Sequence, residues 1–122
     1  MGGLGAYMMS SRNPTLFSSM IPICGGGSKV FVKLLKDMPA WFVHSDDDNV
    51  VAVADTDILV EELRHLGNVR VKYTRYSTSN ERPSAKAWMV GHNCWDKFYL
   101  DYAGEIADWI LSNPNPSPAG SK

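Results

Sequence analysis

Pro39-Ala-Trp-Phe-Val-His44-Ser-Asp-Asp-Asp48-Asn-Val-Val51 is the stretch on which the reading of this 122-residue chain turns. Its first half is a short apolar run bounded by a proline, and its second half is a cluster of short polar residues. That pattern reads as a buried strand delivering the chain into a loop. From about Val51 to Leu66 the apolar residues Val51, Ala54, Ile58, Leu59, Leu63 and Leu66 recur with the helical period. Glu61 can pair with Arg64 or His65, and Gly67-Asn68 supplies a stop. Val69 to Tyr76 then alternates Val69, Val71 and Tyr73 against Arg70, Lys72 and Thr74, as expected of a strand nearer a sheet edge. Strand, helix and strand in this order imply a parallel pair with a crossover helix.

Working outward, Gly2 to Ser11 is expected to be a helix with Leu4, Tyr7, Met8 and Ser11 on related faces, stopped by Asn13-Pro14. Phe17 to Cys24 is apolar and reads as another buried strand, with Pro22 marking its end or a bulge and Gly25-Gly26-Gly27 following. Val30 to Leu35 is a short connector. Downstream, Thr78 to Lys86 reads as a polar loop, Ala87 to Val90 as a short apolar run, and Asp96 to Leu111 as a helix with Tyr99, Ala103, Ile106 and Ile110 inward. The expected class is α/β, a parallel sheet with flanking helices. Three strands make a poor sheet, and the first would leave a hydrophobic edge bare. The expectation is therefore that the chain begins inside a domain, its edge covered by an N-terminal half or by self-association.

Composition is that of a globular chain: 44% hydrophobic and 20% charged residues, with formal net charge −1. Twelve scattered basic residues against 13 acidic ones offer no field for phosphates, which argues against nucleic acid. No apolar stretch is long enough for a membrane span, and the first residues lack the charged start of a signal peptide. Cys24 and Cys94 are too few for a disulfide framework and lack metal-site spacing, so one bridge or two free thiols both remain open. The cellular compartment is not indicated.

Chemistry in parallel α/β sheets gathers at the carboxyl ends of the strands. Two such places carry titratable groups: His44-Ser45-Asp46-Asp47-Asp48-Asn49 after one strand, and Gly91-His92-Asn93-Cys94-Trp95-Asp96 beyond the next. An acid followed by a histidine is the second half of the order Ser, Asp, His. Read without further guidance, Asp48 could equally cap the following helix, and Asp46 and Asp47 are solvated turn residues. A calcium loop would need acids at alternate positions and a distant glutamate. The opening glycines lack the lysine of a phosphate-binding loop. Cys94 lies too near His92 in sequence to face it as a nucleophile.

Three pieces, M-G-G-L-G-A at the start, P-A-W-F-V-H-S-D-D-D-N-V-V and G-H-N-C-W-D, give the chain a resemblance to α/β hydrolases. It resembles their dienelactone-hydrolase and phospholipase/carboxylesterase branch, which includes the proteins labelled predicted peptidases. In that family the first piece usually follows a serine, as G-x-S-M-G-G, and the middle one reads H-G-x-x-D-x-x-V. The resemblance implies that residues 1–112 are the C-terminal part of an α/β-hydrolase domain, while the Pro- and Ser-rich composition of 113–122 reads as a disordered tail. It implies Asp48 as the acid and His92 as the general base of a triad acting on small-molecule carboxylic esters, with no cofactor and no metal. Met1 and Gly2 would be the two residues after the nucleophile, Met1 offering its N–H to an oxyanion. From its strand-end position His44 is a candidate pocket residue, with a structural role expected ahead of that, and Trp95, chiefly a packing residue, could also line the pocket beside His92. The serine itself is absent from the sequence, Ser45 stands where the family has glycine, and the Thr78–Val90 stretch is longer than usual. The chain by itself is expected not to turn over an ester, or else to be a short module that binds or self-associates.

Overall fold

A computed structural model describes residues 1–77 and 91–116 of the chain. Helix α1 (Gly2–Arg12) is followed by a 3₁₀ turn (Lys29–Leu35), strand β1 (Ala40–Ser45), helix α2 (Val53–His65) and strand β2 (Val71–Tyr76). Helices α3 (Cys94–Asp101) and α4 (Glu105–Ser112) complete it. Strands β1 and β2 run parallel, in register from Ala40 opposite Val71 to Ser45 opposite Tyr76. On the other side of β1 the Phe17–Cys24 segment also runs parallel, touching it at Met20–Ala40 and Ile23–Val43. The expected strand there is thus reduced to two bridges. Pro22 has no N–H to give, and its carbonyl already accepts from the Val43 amide at 3.0 Å.

β1 is the central element and all six of its residues are buried, which explains why its sequence is a continuous apolar run rather than an alternating one. Successive side chains leave it on opposite faces. Ala40 and Phe42 join Tyr7, Leu35, Leu59 and Leu63 in one core, under α1, the 3₁₀ turn and α2. Trp41 and Val43 join Cys24, Cys94 and Phe98 in a second core, under α3 and α4. Helices therefore cover both faces, as the α/β reading required. Trp41 anchors the second core: its indole meets Phe98, Tyr102 and Trp109 edge-on at 5.0, 5.1 and 5.5 Å. Its Nε1–H donates to Thr74 Oγ1 at 2.9 Å, so the one polar atom of a fully buried tryptophan is satisfied.

Three expectations are corrected in detail. In α2 the buried face is Thr56, Leu59, Val60 and Leu63, while Ile58 is exposed; a polar residue holds an inward position, so apolar periodicity alone placed the face slightly off. The last helix is two helices, broken at Tyr102–Gly104, where glycine's backbone freedom disfavours continuation. Phe98 turns inward and Tyr99 is exposed instead. Residues 113–116 do not behave as a disordered tail: Asn115 is buried and its amide donates to the carbonyls of Pro14 and Phe17 at 2.7 and 2.9 Å. Residues 117–122, and the loop and apolar run expected over 78–90, lie outside the described residues. Among the described residues no helix is long and apolar enough to cross a membrane.

Candidate active site

The loop that leaves β1 bends back at Asp48, whose amide donates to the Ser45 carbonyl at 3.2 Å. The Asp48 side chain is fully buried. Its Oδ1 accepts from the amides of Val50 and Val51 at 2.8 and 2.9 Å, just ahead of α2. The capping reading of Asp48 is therefore correct for one oxygen, although the turn it caps precedes the helix rather than beginning it. The other oxygen, Oδ2, lies 2.9 Å from His92 Nδ1. Two residues 44 apart in sequence are brought together at the carboxyl edge of the sheet.

His92 reaches this place because Gly91 lets its loop press against the acid loop. Gly91 has φ +77°, and a Cβ there would overlap the carbonyl of Asp47 and the amide of Asp48. Only glycine combines that conformation with that contact. Trp95 stands edge-on to the His92 ring at 5.5 Å. His92 is 8% exposed, and its exposed part borders two cavities of about 320 and 520 Å³. Met1, Gly2 and Trp95 line both of them. The start of α1 is held there by Gly3 and Gly25, whose backbones approach so closely that a Cβ on either would strike the other.

His44, for which a structural place is expected ahead of a pocket contact, is on neither cavity wall. It is fully buried behind Asp48, because the alternation of β1 turns it under the first turn of α2, where Thr56 Oγ1 lies 2.7 Å from its Nδ1. Cys24 has no signal in the sequence that marks it, yet its sulfur, an Asp48 oxygen and a His92 nitrogen all lie within 4.8 Å of one another. It adopts φ +53°, unusual for a residue with a side chain. A hydrogen bond with Cys94 and burial push its thiol well above the ordinary range, so it stays protonated. Both cysteines are free. Cys24, Asp48 and His92 form a donor set of the kind that binds soft cations. A cation there would have to displace the thiol proton and the bond between Asp48 and His92, so the set is already engaged in a proton-bearing network.

No protein-family model matches the chain. No curated protein matches it either. A solved structure does: the crystal structure of a thermostable esterase is similar to 93% of this chain at 34% identity, with a TM-score of 0.76. The match covers 29% of that esterase's chain, so this sequence spans less than a third of its length. Identity at that level with a shared fold goes beyond the generic likeness of α/β sheets. This chain is similar in sequence and fold to part of an esterase, and its architecture is of the α/β-hydrolase type that its three motifs implied.

Proposed function

We infer that the chain supplies the acid and the base of a Ser-Asp-His triad that hydrolyses carboxylic esters, with the serine contributed by polypeptide outside this sequence. The observation that carries this reading is the 2.9 Å approach of Asp48 Oδ2 to His92 Nδ1, at the strand ends and beside two cavities. A buried carboxylate at Nδ1 fixes the tautomer that carries hydrogen there and leaves the Nε2 lone pair to take a proton. The imidazole then accepts the proton of an attacking serine hydroxyl and returns it to the leaving alcohol, while Asp48 stabilises the transient imidazolium. The backbone is crowded one residue on, at Gly3 rather than at Gly2, where an added Cβ would meet nothing, and the N-terminus of α1 directs its dipole toward a developing oxyanion. The apolar Trp95 and Ile21, Ile23 at the cavities suit the acyl or alcohol part of an uncharged ester.

The test is a chimaera in which this chain replaces the matching portion of the thermostable esterase. It is expected to hydrolyse simple esters, with kcat lowered about 10⁶-fold by His92→Ala and about 10⁴-fold by Asp48→Asn. The 122-residue chain assayed by itself is expected to be inactive. Undiminished activity in the His92→Ala chimaera, or turnover by the chain alone that His92→Ala abolishes, would overturn the reading.

A further inference from the structure

We propose that His44 is a positioning residue for the acid: it holds the Asp48 carboxylate in place through the hydrogen on its Nε2, which the Val51 carbonyl fixes there. This rests on the reading of Asp48 and His92 as an acid–base pair. His44 sits at the end of β1, fully buried, with each ring nitrogen engaged. Nε2 lies 2.9 Å from the Val51 carbonyl and 3.0 Å from Asp48 Oδ2. A carbonyl only accepts, so Nε2 must carry the hydrogen. Nδ1 meets the Thr56 hydroxyl 2.7 Å away, a group that can both donate and accept.

The consequence is a closed clamp. Val51 donates its amide N–H to Asp48 Oδ1, and its carbonyl accepts from His44 Nε2–H. The same N–H edge faces Oδ2, the oxygen that meets His92. Rotation of the carboxylate about its own bond would break contacts on both oxygens at once. Two imidazoles thus flank one carboxylate oxygen: His92 at the cavities, and His44 inside. Only the outer one borders space that a substrate can enter. Orientation of the inner ring depends on Thr56, which is buried in the first turn of α2 and is the polar exception on that helix's inner face. Satisfying a buried hydroxyl and a buried imidazole with each other accounts for that exception.

The experiment reads the imidazole nitrogens of the 122-residue chain by long-range ¹⁵N–¹H correlation, which distinguishes the two tautomers directly. The parent chain is expected to show His44 with hydrogen on Nε2 and His92 with hydrogen on Nδ1. His44→Leu should lose the single-tautomer signature of His92, and His44→Gln, whose amide can donate to Asp48 and accept from Thr56, should restore it. Should His44→Leu fail to fold, His44→Gln and Thr56→Val decide: the first must keep the single-tautomer signature of His92, and in the second His44 must keep its hydrogen on Nε2, where the Val51 carbonyl and Asp48 hold it. An unchanged His92 signature in folded His44→Leu, its loss in folded His44→Gln, a parent His44 with hydrogen on Nδ1 alone, or transfer of that hydrogen to Nδ1 in Thr56→Val would each overturn the proposal. In the chimaera, His44→Leu is expected to lower kcat and leave KM unchanged. An inert chimaera with the expected tautomer pattern would refute the esterase reading while supporting the placement of Asp48 by His44.

Discussion

Two loops meet at the carboxyl edge of the sheet, and they are built in opposite ways. The acid loop, residues 45–52, is held by its own neighbourhood: Asp48 accepts from Val50 and Val51, and His44 and Thr56 lie within a few positions of it in sequence. The base loop, residues 91–93, owes its place to distant partners. Gly91 fits against Asp47 and Asp48, His92 bonds to Asp48, and Cys94 packs with Cys24 and Trp41. The acid loop's contacts come mostly from its own strand and helix, with one amide, Asp46 N–H, donating to the Tyr76 carbonyl of β2 at 2.8 Å, whereas the base loop's contacts come from residues far from it in sequence. The acid is thus a fixed reference, and the base is docked onto it.

That contrast can be broken most severely at Gly91. Gly91→Ala adds a Cβ in the left-handed region and against the backbone of the acid loop, which together should cost about 3 kcal/mol. Thermal or urea unfolding checks the cost, and loss of the His92 single-tautomer signal checks that the base loop has undocked while the acid turn remains. A smaller effect is expected at Cys94→Ala. It removes the sulfur that bonds Cys24 in the second core and should destabilise by about 1 kcal/mol, in the same urea experiment, with the Asp48 turn unaffected. Smallest should be Arg75→Gln. Arg75 pairs with Asp46 of the acid loop at 2.5 Å and with Asp57 of α2 at 3.1 Å, but all three side chains are substantially exposed. Such pairs contribute about 0.5 kcal/mol or less, so the acid loop should hold its shape without Arg75. A large loss of stability there would mean that Asp48 is held from outside rather than from within.

The same contrast governs what was legible in the sequence. The strand over residues 40–45, the acid turn and the helix after it are written in consecutive residues, and all three are found where the local pattern places them. His92 is different: nothing near it in sequence states that it meets Asp48; its place beyond a strand, after an acid, points to it, and the resemblance to α/β hydrolases supplies its role. Thr56 was passed over because a threonine on a helix breaks an apolar pattern, whereas here its hydroxyl is used by His44. His44 ends a strand beside the acid, which by itself leaves both a pocket and a structural place open to it; the strand's alternation, once fixed by Trp41 and Phe42 on opposite cores, puts it inside. The break between α3 and α4 went unread because Ile106 and Trp109 continue an apolar pattern across Gly104. Cys24 gave no signal, since a small buried thiol looks like any apolar residue until a fold places it beside a carboxylate and an imidazole.

The claim that His92 moves a proton on behalf of a serine is tested most directly by rapid mixing of the chimaera with a chromogenic ester. The account predicts a burst of alcohol release equal to the chimaera present, marking an acyl-enzyme, and no burst when His92 is replaced by alanine. A full burst in the His92→Ala protein would contradict it.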